Sequence, residues 1–330
     1  MPVQLGYALS SEEHAPNDLV ANAKRAEEVG FDFLMISDHY HPWIDAQGHS
    51  PFVWSVLGAI AHATTRIPIA TGVTAPIIRI HPAILAQATA TVASMMPGRF
   101  RWGVGTGENL NEHISGDGWP EYEVRAAMLE EAVEVVRELW KGDNTSHYGE
   151  YYTVVNAKVY DRPPKAIPVL VAADGPRTAR IAGRIGDGLV VTSPDQETIG
   201  AFRDAGGPGK PIYGQVTLCW GPDEAEAKRT LKEIWPTAGI RGEASQELPS
   251  PQHFEQLAGM VTEDMLAEQI PCGPDVGRVL DQIRAAAEAG IDHVYLHQVG
   301  PDQDGFFGFA ERELLPRARE LAGAGRRRAA

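Results

Sequence analysis

Cysteine is scarce in this chain of 330 residues. There are two, Cys219 and Cys272, far apart in sequence and without metal-ligand spacing, so they read as buried thiols in a reducing cytosol. Basic charge is also short: 29 Lys and Arg face 44 Asp and Glu, a formal net charge of -15. A nucleic-acid protein needs a basic face to displace counterions, so this balance argues against one. The one basic run, Arg326-Arg327-Arg328, lies at the C-terminus and reads as part of a flexible tail over 323–330. No run of ~18 apolar residues occurs, which excludes a spanning helix. The N-terminus enters Val3-Gln4-Leu5-Gly6-Tyr7 without a basic leader or cleavage site, so a cytoplasmic location is expected. Internal repeats are missing too, as is a G-x-G-x-x-G turn after the first apolar run.

What is present is alternation. Short apolar runs at 3–9, 33–37, 67–73, 99–104, 167–172, 188–192, 211–219 and 292–297 predict strands. Between them, 17–30, 52–64, 82–96, 122–141, 176–185, 223–234 and 275–289 have helical periodicity. The first helix repeats Leu19, Ala23, Ala26 and Val29 and stops at Gly30, a C′ glycine. Eight strands alternating with helices predict an α/β fold, a (β/α)8 TIM barrel in one domain over 1–330. A doubly wound sheet is the rival, but it uses fewer strands and a phosphate-binding glycine turn. Two stretches interrupt the alternation as insertions after strands 4 and 7. Residues 143–165 read as a hairpin, and 236–272 as a substrate-side insertion or lid.

In a barrel the chemistry lies at the C-terminal ends of the strands. Strand two delivers Ser37-Asp38-His39-Tyr40-His41-Pro42-Trp43. A histidine beside a carboxylate can act as a general base; alternatively Asp38 caps a turn and His39 fills space. Two histidines also suggest metal ligands, but no third is evident, so no metal is expected. Strand three ends in small residues, Gly72-Val73-Thr74, that admit a flat ligand close to the backbone or form a tight exit. Strand four ends with Gly103, Gly105 and Gly107 bare and Glu108, Asn109, Asn111 and Glu112 crowded together, which suggests a ligand lying on that backbone. After strand five, Ala173-Asp174-Gly175-Pro176 opens a helix whose free N–H groups suit a phosphate, with Asp174 as the alternative N-cap. Strand six ends at Thr192-Ser193, hydroxyls that suit phosphate oxygens or cap a helix.

Three motifs in register carry a resemblance over almost the whole chain. They are Ser37-Asp38-His39-x-x-Pro42-Trp43, Gly105-Thr106-Gly107-Glu108-x-Leu110-Asn111-Glu112 and Ala182-Gly183-Arg184-x-Gly186-Asp187-Gly188. The chain resembles the luciferase-like flavin and deazaflavin superfamily, in the branch of the F420-dependent glucose-6-phosphate dehydrogenases. The resemblance implies a barrel holding coenzyme F420 across its C-terminal mouth, a homodimer, and a non-prolyl cis peptide at Gly72-Val73. It implies that His39 takes the hydroxyl proton of an alcohol, Glu108 protonates the reduced ring, and Trp43 packs against the reacting carbon. It further implies that Asp38, Gly72, Val73, Thr74, Gly107 and Asn111 hold the ring and its surroundings. Ala173, Asp174, Gly175, Thr192 and Ser193 would hold its phosphate and tail. Asp174 departs from the glycine usual there.

A second departure concerns substrate. Family members that oxidise glucose 6-phosphate grip it with a lysine after strand six and a lysine and an arginine in the late insertion. Here the first position falls at Asp195, and the stretches around Gln256 and Glu268 hold no Lys or Arg. With Asp195, Gln256 and Glu268 as substrate-side residues, the expected substrate is a secondary alcohol such as a neutral or amino sugar, not glucose 6-phosphate. The alternatives are a redox-neutral F420-dependent epimerase, an FMN-dependent monooxygenase on the same barrel, and a non-catalytic binding protein that keeps the fold.

Overall fold

The computed structural model describes residues 3–240 and 242–320. The tail at 323–330 lies outside the described residues. Eight parallel strands close into a barrel: β1 (Gln4–Leu9), β2 (Phe33–Ile36), β3 (Ile69–Thr71), β4 (Phe100–Val104), β5 (Val169–Ala172), β6 (Gly188–Val191), β7 (Ile212–Leu218) and β8 (His293–Gln298). Closure is made where β1 pairs with both β2 (Tyr7 beside Leu34) and β8 (Tyr7 beside Leu296). Around it lie α1 (Pro16–Val29), α2 (Val53–Ala63), α3 (Pro82–Met95), α4 (Tyr122–Trp140), α5 (Pro176–Ile185), α6 (Gln196–Asp204), α7 (Val276–Glu288) and α8 (Gln303–Phe309).

Both faces of each strand are buried, so the strands read as continuous apolar runs. Along β2 the period-2 alternation sends Phe33 and Met35 into the barrel, while Leu34 and Ile36 join the layer under the helices. Inside, Phe33, Met35, Ala70, Leu170, Val190, Tyr213 and Tyr295 plug the barrel, with Ala8, Val73 and Ala172 packed against them. Small residues at that upper level leave a shallow apolar floor beneath the C-terminal mouth.

Two helices are absent from the sequence reading. Helix α6 was missed because Thr198 and Gly200 are poor helix formers; its N-cap, Asp195, and buried Ile199 and Phe202 supply what propensity does not. Helix α8 was missed because Gly305 and Gly308 interrupt it; burial of Phe306, Phe307 and Phe309 holds it. The hairpin (Thr145–Tyr148 with Thr153–Ala157) forms as expected, but between α4 and β5. It packs outside the barrel, where Glu131 of α4 accepts the backbone N–H groups of Glu150, Tyr151 and Tyr152.

The glycines of β4 also have a different cause. A Cβ on Gly103 would stand 1.8 Å from the Thr71 carbonyl oxygen, and one on Gly105 would stand 2.9 Å from Val73. Room is being made for the segment leaving β3, not directly for a ligand. That segment contains the cis Gly72-Val73 peptide and forms the cavity wall.

Arg79 ties the mouth together. Its guanidinium lies 3.1 Å from Asp38 Oδ1 and 3.4 Å from Glu112 Oε1, with all three side chains almost wholly buried. Removing the cation leaves two buried carboxylates without a counter-charge. Arg79→Met is expected to lose about 3–5 kcal/mol of stability in chemical denaturation; a loss within measurement error would show that the ion cluster does not hold these loops.

Candidate active site

A cavity of about 740 Å3 opens at the C-terminal mouth. Its floor is apolar: Ala8, Met35, Val73, Ala172 and Val190. Polar groups stand around the rim: Glu12, His39, Glu108, Asp174, Thr192, Gln215, Thr217 and His297. Trp43, Trp235, Ile240 and Phe254 close one side, the last two belonging to the late insertion. A flat apolar floor under a polar rim suits a planar, heteroatom-edged ring.

His39, Trp43 and Glu108 all line this cavity. The rings of His39 and Trp43 are 5.0 Å apart, and Trp43 meets Phe254 edge-on at 5.1 Å. Asn111 organises the group from behind. Its Oδ1 accepts the backbone N–H of Tyr40 (2.8 Å) and of His41 (3.1 Å), while its Nδ2 lies 3.3 Å from Glu108 Oε2 and 3.2 Å from His39 Nδ1. One amide thus sets the spacing between the imidazole and the carboxylate.

The partner of His39 is not its sequence neighbour. Asp38 is buried, accepts from Thr74 Oγ1 at 2.8 Å, pairs with Arg79, and does not line the cavity. Its side chain is taken up by these two contacts, and Thr74 is likewise wholly buried. Instead Glu12 Oε1, from the loop after β1, lies 3.4 Å from His39 Nε2. Glu12 Oε2 accepts from Ser37 Oγ (2.6 Å) and Ser10 Oγ (3.1 Å). Burial pushes the Glu12 carboxyl up, but the charge of His39, the Ser37 hydroxyl and its own backbone N–H more than offset this and hold it below the ordinary value.

Other expected residues divide. Gly72, Val73, Asp174 and Thr192 line the cavity. Asp174 is not the N-cap of α5: Gly175 is, without a side-chain cap, so the first N–H groups of α5 remain open to an anion. Asp174 instead meets Thr192 Oγ1 (3.5 Å) and Gln246 Nε2 (3.3 Å) of the insertion. Gly107, Asn111, Ala173, Gly175 and Ser193 lie close by in sequence but outside the cavity lining. On the substrate side the placement is corrected. Asp195 turns back to cap α6, accepting from Glu197 and Thr198, while Gln256 and Glu268 are exposed on the outside of the insertion. None of these three lines the cavity.

Sequence reasoning missed Glu12, Gln215, Thr217 and His297. The signal was available, since the rule that strand ends carry chemistry was not followed through at β1, β7 and β8. Among the described residues no group of three or more His, Cys, Asp or Glu is placed to hold a metal, and no helix is long and apolar enough to cross a membrane. Cys219 and Cys272 are free, buried, and adjacent as a parallel bridge; burial pushes the Cys219 thiol up to about 12. Such thiols are unreactive.

Fold and cavity together define a flavin-type barrel enzyme architecture, and comparison places it. The luciferase-like monooxygenase family model matches residues 1–293, and the chain belongs to that family. It is 39% identical to an F420-dependent glucose-6-phosphate dehydrogenase of Segniliparus rotundus, covering 97% of this chain and 99% of that one. It is 36% identical to the enzyme of the same description from Amycolatopsis mediterranei, over 97% and 99%. An F420-dependent secondary alcohol dehydrogenase, solved with an F420–acetone adduct, superposes with a TM-score of 0.89 at 32% identity, covering 96% of this chain and 99% of that one.

The Glu12 environment yields a pH test. A carboxyl whose folded value is depressed contributes stability that is present above the ordinary value of 4.5 and lost as pH falls through the depressed one. Glu12→Gln should therefore lose less stability than the wild type between about pH 6 and about pH 3 in urea melts. Parallel losses would show that Glu12 is not held ionised.

Proposed function

We propose that the protein is an F420-dependent dehydrogenase that oxidises a secondary alcohol. The observation that supports this most is the convergence of His39, Trp43, Glu108 and Glu12 on one cavity that is also lined by Ala8, Met35, Val73, Ala172 and Val190. When bound, coenzyme F420 supplies a hydride acceptor at C5 of its deazaflavin ring. Ala8, Val73, Ala172 and Val190 would support such a ring, and the open start of α5 with Thr192 would receive its phosphate.

His39 Nδ1 lies 3.3 Å from the His41 carbonyl and 3.2 Å from the Asn111 amide; in the tautomer that donates Nδ1–H to the carbonyl, Nε2 is the acceptor for an alcohol proton. The contact between Nε2 and Glu12 gains most of its value once that proton has arrived, because only then does it become an ion pair. Glu12 thus favours the protonated imidazole that forms as the hydride leaves. Glu108, on the other side of Asn111, is placed to give a proton to the reduced ring. Trp43, held edge-on by Phe254, confines the carbinol carbon between them.

For substrate, the described cavity residues include four carboxylates, Glu12, Glu108, Asp174 and Glu243. This favours a neutral or amine-bearing alcohol, such as a neutral or amino sugar, over a sugar phosphate. Asp195 no longer contributes to that argument, since its carboxylate is spent on α6. We also propose a homodimer: Ile84 and Met95 of α3 and Tyr148, Val155 and Tyr160 of the neighbouring hairpin region are exposed apolar side chains that a second copy would cover.

The test is to mix the protein with oxidised F420 and follow its visible absorbance across a panel of alcohols and sugars. Bleaching with an unphosphorylated substrate and none with glucose 6-phosphate is expected; His39→Ala should slow it by about 10²–10⁴-fold while F420 fluorescence titration still shows binding. Tighter binding of FMN, or oxygen uptake with it, would overturn the reading. Sedimentation should give twice the mass of one chain, and Ile84→Glu with Tyr148→Glu should return it to the monomer.

A further inference from the structure

Three consecutive residues after β1, Glu12, Glu13 and His14, divide between two cavities. Glu12 lines the catalytic cavity, while Glu13 and His14 line a second one of about 590 Å3 with Asp18, Gln47, Asp302 and Asp304. Between the two stands His297, at the end of β8. It lines the catalytic cavity, its Nδ1 lies 3.5 Å from Gln215 Nε2, and its Nε2 lies 2.7 Å from Glu13 Oε1. Both side chains of the His297–Glu13 pair are almost fully buried, at 4% and 3% exposure. One imidazole therefore has a nitrogen toward each cavity.

We propose that His297 and Glu13 form a proton exit from the catalytic cavity to the second cavity. The inference rests on the dehydrogenase reading above. Oxidation of a carbinol breaks its C–H bond, whose electron pair leaves as hydride to the ring, and its O–H bond, whose proton passes to His39. Glu108 gives up a separate proton to the ring and regains it from bulk water. His39 must lose its proton before the next turnover, yet its side chain is only 10% exposed. Glu12 Oε1 lies 3.4 Å from His39 Nε2, and Glu12, His39 and His297 all line the catalytic cavity. A proton leaving His39 past Glu12 enters His297 at Nδ1, where the contact with Gln215 is long. The Nε2 proton then moves to Glu13, and from there to the second cavity and bulk water.

The surroundings fit a route and not a simple strut. Glu13 faces His297, accepts the Gly300 N–H at 3.0 Å, and lies within electrostatic reach of His14, Tyr7 and Cys219. His297 faces Glu13, Gln215, the ring of Trp235 at 4.4 Å, and the more distant Glu12 and His14. His14 is 8% exposed, and its Nε2 has no hydrogen-bond partner among the described residues. It is a second imidazole beside Glu13, on the outer side.

Two measurements decide the matter. The first needs no turnover: ring-nitrogen NMR of the cofactor-free protein follows the His39 and His297 titrations in wild type, Glu13→Gln and His297→Gln. Glu13→Gln should move the ring-nitrogen resonances of His297, and His297→Gln should move those of His39. Independent titrations overturn the route. The second uses the F420-loaded enzyme with an alcohol that bleaches F420. Both variants should lose about tenfold or more in kcat, with a larger solvent deuterium effect, and added imidazole should restore most of the rate. Rates within about twofold of wild type, or a loss that imidazole leaves untouched, overturn it. If no alcohol reduces F420, or His39→Ala is as fast as wild type, the dehydrogenase reading fails instead, and the NMR arm still decides the route.

Discussion

A single guanidinium connects the three loops on which the site is built. Asp38 follows β2, Arg79 follows the segment that leaves β3, and Glu112 ends the turn after β4. Arg79 also donates its backbone N–H to Glu112 Oε2 at 2.8 Å, so the loops are joined by main chain as well as by charge. In a low-dielectric setting such a cluster has little freedom to rearrange, because each partner left alone is a buried charge. His39 and Trp43 hang from one loop, Val73 from the second and Glu108 from the third. Their mutual positions are thus fixed by a contact that none of them makes.

Much of this was legible in the sequence, and the exceptions follow a pattern. All eight strands were located because parallel barrel strands are buried on both faces and appear as uninterrupted apolar runs. His39, Trp43 and Glu108 could be found because each follows such a run directly. Asp38 was read as the acid beside His39 because the two are adjacent in sequence, but both lie in the loop past β2, where the Asp38 carboxylate turns to Thr74 and Arg79. The partner seen in the structure, Glu12, comes from 27 positions earlier, in the loop at the end of β1, and only the rule that strand ends carry chemistry marks it. Asp195 was misread for the same kind of reason. At the mouth of a barrel a carboxylate before a helix serves either the helix or the ligand, and here the Thr198 hydroxyl and backbone claim it.

The cavity draws on two sources with different mechanical character. Its ring side is strand ends and their first residues, fixed by the barrel. Its other side includes Trp235, which precedes the insertion, and Ile240 and Phe254 of the insertion, whose Val261, Leu266, Ile270 and Cys272 pack with Leu231, Cys219 and Val299. Substrate choice can therefore vary through the insertion while the hydride and proton chemistry stays with the barrel.

The glycines that leave β4 have a last implication. Gly103 and Gly105 are bare because the backbone and Val73 beyond β3 occupy the space a side chain would need. Their demand is internal to the protein and would be the same under an isoalloxazine as under its deaza counterpart. A glycine-rich exit from this strand thus identifies the scaffold without reporting which coenzyme it serves; that discrimination belongs to the heteroatoms around the rim.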